Sequence, residues 1–230
     1  MLMLNKTLPL HISIITLFPD IFANHLKHLP ISRAIEKGLL QIDFINLRNF
    51  AIDKRGTVDS PPYGGGPGMI LRPEPIFDAI NFALNRAIPA MREPAHIIFL
   101  TPRGKTYNQA TAQHISTLKN LVIVCGRYEG MDQRVAEYFH AQEVSIGNYV
   151  LSGGEIAGMA IIESVTRLIP GAIENQDALI NESFNPGQPT QTEHPQYSRP
   201  EEWQGLKVPQ ILVSGHHKKV DDWKTQNSLT

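Results

Sequence analysis

The chain has 230 residues, 42% apolar and 19% charged, with 21 Lys and Arg against 22 Asp and Glu for a formal net charge of −1. That length suits one large domain or a domain with a small appendage, and the near-neutral balance excludes a general basic surface for nucleic acid. Cys125 is the one cysteine, no apolar run reaches the roughly 18–20 residues of a membrane helix, and the start MLMLNKTLPL lacks signal-peptide order, so the expectation is a soluble cytoplasmic protein.

The predicted elements alternate. His11 to Leu17 is rich in Ile and Thr and reads as a strand, Asp20 is placed to cap a helix toward Leu26, and a helix near Ser32 to Lys37 should stop at Gly38. Leu40 to Asn46 alternates like a half-exposed strand. Arg48 to Met69 is a long polar connection dense in Gly and Pro, and Pro73 to Arg86 is helical. Ala95 to Leu100 is a buried strand that should end at Thr101-Pro102-Arg103-Gly104. A helix over Asn108 to Leu118, a strand over Leu121 to Val124, a helix over Asp132 to Phe139 and a strand over Glu143 to Ile146 follow. Glu155 to Ile169 is the best helix, with Ile156, Met159, Ala160, Ile161, Val165, Leu168 and Ile169 as its apolar stripe. Ala172 to Arg199 reads as a linker, and Ser214 is placed to cap a closing helix. Strands alternating with helices predict an α/β fold with a mainly parallel sheet.

Three turns lie at the carboxyl ends of these strands: Thr101 to Gly104, Gly126-Arg-Tyr-Glu-Gly130, and Ile146 to Gly154. Ligands of parallel α/β sheets bind at that edge. Together the turns would offer backbone donors and acceptors to a purine-like ring, with Tyr128 and Tyr149 as walls. Gly64, Gly66 and Gly68 have a GxGxG spacing, but they follow Val58-Asp-Ser-Pro-Pro62 rather than an apolar strand, so a dinucleotide loop is not indicated. The loop is either a flexible turn or a surface for close backbone approach. Arg167, four residues after Glu163 and outside the apolar stripe, reads by periodicity as half of a helical ion pair. Cys125 reads as a small buried hydrophobe with no histidine to activate it. No metal-ligand spacing occurs. Any nucleic acid would have to be held by local patches, and the candidates are Lys54 with Arg55, Arg33 with Lys37, and His216 to Lys219.

Asp59 with Pro62-Tyr-Gly-Gly-Gly-Pro-Gly-Met69, Val124 to Gly130, Ser145 to Glu155, Ser164 to Gly171 and Tyr197-Ser-Arg-Pro200, in that order, closely resemble the bacterial tRNA (guanine-N1)-methyltransferase family. The resemblance implies a SPOUT-type α/β domain with a deep trefoil knot, S-adenosylmethionine as cofactor, and a homodimer with each active site at the interface. It implies methylation of N1 of the guanosine 3′ of the anticodon in tRNA. It divides the chain into a catalytic domain over 1–171, a linker over 172–199 and a small helical tRNA-binding domain over 200–230.

Carried over residue by residue, the cofactor cradle would be Leu100, Thr101 and Pro102; Gly126, Tyr128 and Glu129; and Ser145, Ile146, Gly147, Asn148, Tyr149, Val150, Leu151, Gly153 and Gly154. Asp59, Tyr63 and Gly68 would contact substrate. Arg167 falls on the substrate-orienting arginine, which replaces the ion-pair reading, and Glu182 on the catalytic base. The family has Asp before Ser-Phe, whereas this chain has Glu182 before Ser183-Phe184, and Gln196 stands where His is common. The chain stops at Thr230 where relatives continue with basic helix, which implies a reduced or incomplete tRNA grip. Two rival readings are a non-catalytic RNA-binding module and a related SPOUT methyltransferase for another RNA.

Overall fold

The computed structural model describes residues 8–86, 94–179, 182–185, 187 and 190–229. In chain order the strands are β1 (Leu10–Thr16), β2 (Leu40–Asn46), β3 (Asp59–Ser60), β4 (Ile70–Leu71), β5 (His96–Thr106), β6 (Asn120–Cys125), β7 (Gln142–Ser145), β8 (Glu202–Trp203) and β9 (Leu206–Lys207). The helices are α1 (Ile31–Glu36), α2 (Pro73–Arg86), α3 (Gln109–Ser116), α4 (Gln133–Tyr138), α5 (Glu155–Thr166), α6 (Gln210–Val213) and α7 (His217–Asn227). Contacts divide the chain into Met1–Glu174 and Asn175–Thr230.

The first unit is an α/β layer structure around a five-stranded sheet of order β2-β1-β6-β5-β7, with every pairing parallel. All residues of β1 and β6 are buried, as expected for central strands covered on both faces. The period of two sorts them. Leu10, Ile12, Ile14, Leu121, Ile123 and Cys125 join one core with α1, α3 and α5, while Ile15, Val122 and Val124 join the other with α2. Each fully buried aliphatic side chain contributes about 1.5–3 kcal/mol.

Several expectations are corrected. The strand does not end at Leu100: β5 continues to Thr106, and Leu100 and Lys105 both pair with Val144, so Thr101 to Gly104 bulge out of the ladder. Gly104 permits this, because a Cβ there would overlap the backbone of Glu143 and Val144. Asp20 caps no helix. Pro19–Phe22 and His25–Lys27 are short 3-10 turns, and Thr16 Oγ1 accepts from the Phe18 amide instead. In α5 the buried stripe is Ala157, Gly158, Ile161, Ile162 and Val165, whereas Ile156 and Ala160 face solvent. Ser214 ends α6 rather than capping α7, with its hydroxyl donating to the Ile211 carbonyl. Gly38 closes α1 at φ +66° as expected.

The second unit contains a 3-10 turn at Gln176–Leu179, the β8–β9 hairpin, α6 and α7. Around Glu182, the Phe184 amide donates to Gln191 O at 2.8 Å and the Glu193 amide to Ser183 Oγ at 2.9 Å.

Asp132 caps α4, accepting from the Arg134 amide at 3.0 Å and from its guanidinium at 2.9 and 2.7 Å. The Arg134 hydrogen bond holds the Asp132 carboxyl below its ordinary pKa. A lowered folded pKa means the stabilisation is complete above the unfolded value, about 3.9, and is lost as pH falls through the folded one. Asp132→Ala should therefore cost about 1 kcal/mol at neutral pH. Melting curves should show the difference from wild type shrinking in strongly acidic buffer.

Candidate functional site

The site is built where β6 and β7 end and where β5 bulges at Thr101 to Gly104. These segments meet at one edge of the sheet, and the β6 loop is bonded both to the β7 loop and to the chain around β4. The Gly154 amide donates to Gly126 O at 2.8 Å, the Glu129 amide to Met69 O at 2.9 Å, and the Leu71 amide to Gly130 O at 2.9 Å. Between them lies an open cleft, with about 800 Å³ of empty space counting its open side.

Leu100, Thr101, Pro102, Gly126, Tyr128, Glu129, Ser145, Ile146, Gly147, Tyr149, Val150, Leu151, Gly153 and Gly154 all line this cleft. Asn148 is exposed on the same turn and is not among the lining residues. Arg127, Gly130, Met131, Val144, Ser152 and Ala157 complete the walls. Of the proposed substrate residues, Asp59 starts the β3–β4 ladder and Tyr63 is 98% exposed. Gly68, at φ +84°, lets the Glu129 side chain pack where its Cβ would be, 2.5 Å from Cγ. Arg167 is half-buried at the end of α5 in the first unit, and Glu182 is half-buried in the second.

The glycines are required by close approach. A Cβ on Gly154 would come within 2.9 Å of Cys125 Cα and 3.0 Å of the Gly126 nitrogen. One on Gly153 would overlap the side chains of Arg127 and Glu155, and one on Gly147 the ring of Tyr149. The glycine stretches of the walls therefore present backbone, a surface that a flat heterocycle can lie against. Tyr128 holds φ +59°, a conformation costing a non-glycine residue of order 1–3 kcal/mol.

Below the cleft lies a charge network. Glu155, 1% exposed, accepts from Thr16 Oγ1 at 2.8 Å and from Arg127 Nε at 3.0 Å. Arg127 also donates to Ser152 O at 3.3 Å and stacks over Phe18, 4.5 Å from the ring centroid. Burial, reinforced by Glu155, pushes the Cys125 thiol well above its ordinary pKa. A protonated, enclosed thiol is no nucleophile.

The family model for tRNA (Guanine-1)-methyltransferase TrmD matches residues 10–230. The chain belongs to this family. Proteins called tRNA (guanine-N(1)-)-methyltransferase are similar to it over nearly their whole length. That of Clostridium perfringens is 44% identical, covering 95% of this chain and 88% of that protein. That of Geobacillus kaustophilus is 43% identical, covering 96% and 87%, and that of Ehrlichia canis 42%, covering 95% and 90%.

The cofactor residues carried over from the tRNA (guanine-1)-methyltransferase motifs line the cleft, Asn148 excepted, but the motifs give no sign that Arg127 and Glu155 form a pair. Their only signal was an acid and a base inside glycine-rich turns; the burial that makes them interdependent is not written in spacing. As a test of the wall geometry, Gly154→Ala should weaken methyl-donor binding at least about tenfold, since a close-packed wall cannot absorb an added methyl without shifting. Gly68→Ala should weaken it less, because a side chain rather than backbone must move. Calorimetric titration measures both, and equal affinities for both variants would contradict this ordering.

Proposed function

We propose that the chain transfers a methyl group from S-adenosylmethionine to N1 of the guanosine immediately 3′ of the anticodon, position 37, in tRNA. The products are N1-methylguanosine and S-adenosylhomocysteine. The observation that carries this reading is the glycine-walled cleft at the sheet's carboxyl edge, in a chain whose family match runs from Leu10 to its last residue. A cradle whose turns leave no room for a Cβ at Gly147, Gly153 and Gly154 fits the adenosine of S-adenosylmethionine, with Tyr128 and Tyr149 as aromatic walls.

When bound, S-adenosylmethionine supplies an electrophilic methyl sulfonium. The protein's part is positioning and proton handling. Guanine N1 carries a proton and attacks poorly until it leaves, and a positioned base contributes typically 10²–10⁴-fold. We assign that base to the Glu182 carboxylate. Arg167 is assigned to the guanine O6, where negative charge develops as the proton departs. The target base has to leave its stack to enter the cleft. No covalent enzyme intermediate is required, in keeping with the inert Cys125.

The same reading includes the SPOUT-type knot around the cofactor, catalytic 1–171 and tRNA-binding 200–230 segments joined by 172–199, a cytoplasmic location and a homodimer. The dimer is supported by apolar side chains on the loop and helix bordering the cleft: Val150 is 82% exposed and Ile156 54%. No described helix is long and apolar enough to cross a membrane.

Glu182→Gln should lower methyl transfer at least about tenfold while leaving cofactor affinity intact, and Arg167→Ala should act similarly. The assay is transfer of label from S-adenosylmethionine to a tRNA transcript with G beside the anticodon, and to one with that G replaced. Near-wild-type turnover of Glu182→Gln removes it as the base. Label in neither transcript favours a binding module, and equal label in both favours another target.

A further inference from the structure

The sequence offers three small basic clusters, and the fold spends one of them. Arg33 Nη2 lies 2.9 Å from the Glu174 carboxylate, and Lys37 Nζ donates to Gly171 O at 2.8 Å. Both cations hold the segment after α5 against α1. The His216–Lys219 cluster is exposed in the second unit, but Asp221 and Asp222 follow within one helical turn and dilute its charge.

Lys54 and Arg55 are treated differently. Their loop closes on itself, with the Ile52 amide donating to Thr57 O at 3.1 Å and the Gly56 amide to Asp53 O at 3.2 Å. The loop's one acid is turned onto that backbone. Asp53 accepts from the amides of Thr57 at 3.1 Å and Arg55 at 2.9 Å, and from the Thr57 hydroxyl at 2.8 Å. The Thr57 bonds keep its carboxyl below the ordinary pKa. Arg48 braces the same loop, donating from Nη1 to Gly56 O at 3.2 Å. The side chains of Lys54 and Arg55 are exposed, and neither makes an ion pair or side-chain hydrogen bond to a described residue. The carboxylate that could have neutralised them shapes the loop that displays them.

This loop is also coupled to the cleft. It runs into Val58, whose carbonyl accepts from the Arg72 amide at 2.9 Å, and the neighbouring Leu71 amide donates to Gly130 O at 2.9 Å. Gly130 ends the turn that forms one cleft wall. Two hydrogen-bonded steps join the free cations to the donor site, and in the other direction the chain continues to Asp59 and Tyr63.

We propose that Lys54 and Arg55 form a contact for the phosphate backbone of the RNA substrate, presented by the Asp53-braced loop. The inference rests on the tRNA reading above. Unpaired cations on a pre-ordered loop lose little freedom on binding, and phosphate contacts release counterions, so binding weakens with salt in proportion to their number. Without a general positive surface, two such contacts are a large share of the total.

The test is filter retention of a labelled tRNA transcript across about 50–300 mM KCl. Wild type is compared with Lys54→Ala/Arg55→Ala and with the charge-keeping Lys54→Arg/Arg55→Lys. Each lost phosphate contact should flatten the slope of log affinity against log salt by about 0.7–0.9. The double-alanine variant should therefore be shallower by about 1.4–1.8 and bind roughly tenfold more weakly near 0.1 M salt. The charge-keeping variant should retain the wild-type slope, and S-adenosylmethionine affinity should be unchanged in both. Wild-type slope and affinity in the double-alanine variant overturn the proposal, as does binding only of an acidic polypeptide and not of tRNA. Salt-dependent tRNA binding that depends on these residues, without methyl transfer, overturns the methyltransferase reading and leaves the contact standing.

Discussion

A carboxylate with 1% exposure at the first residue of a helix is the constraint on which the rest of this site depends. Burying an unpaired charge costs several kcal/mol even after relaxation. Glu155 is tolerable only because the N-terminus of α5 favours negative charge and because Arg127 and Thr16 reach it. Those partners come from different strands. Thr16 ends β1, Arg127 follows β6, and Ser152, bonded to the same guanidinium, lies in the loop after β7. Satisfying one buried charge therefore fixes the carboxyl-terminal edges of β1, β6 and β7 relative to one another, and the β6 and β7 loops so held form two walls of the cleft.

The glycines follow from the same geometry. With Arg127 and Glu155 locked together, the chain at Gly153 has no room for a side chain, and Gly154 is pressed on Cys125 and Gly126. At these glycines the wall is main chain, with fixed donors and acceptors and no rotamer freedom. Such stretches can hold and orient a cofactor. Under the proposed function the labour is divided: the cleft loops position the methyl group, and Glu182 and Arg167 handle charge on the guanine.

Strands such as β1, β2 and β6 and the helix α2 were legible because composition and period are local information: the Ile and Thr of His11 to Leu17, the alternation of Leu40 to Asn46 and the helical pattern of Pro73 to Arg86 need no knowledge of the fold. The bulge at Thr101 to Gly104 was not. Thr-Pro-Arg-Gly reads as a stop, and only the partner strand reveals that the ladder resumes at Lys105. The stripe of α5 was misread in part for a related reason, since Ile156 is apolar yet left exposed beside the cleft. The cleft walls were legible through motif resemblance, because glycine spacing records backbone proximity directly. The Arg127–Glu155 pair was not, because a charge is ordinarily a surface residue, and only packing shows that this one is not.

The most direct measurement of the account is calorimetric titration of S-adenosylmethionine into Glu155→Gln, at a temperature where circular dichroism shows both this variant and wild type to be folded. Removing the charge leaves Arg127 without its counter-ion and frees the loops it joins. The account predicts at least about tenfold weaker binding, equivalent to about 1.4 kcal/mol. Wild-type affinity in the folded variant would contradict the claim that this buried carboxylate shapes the cleft.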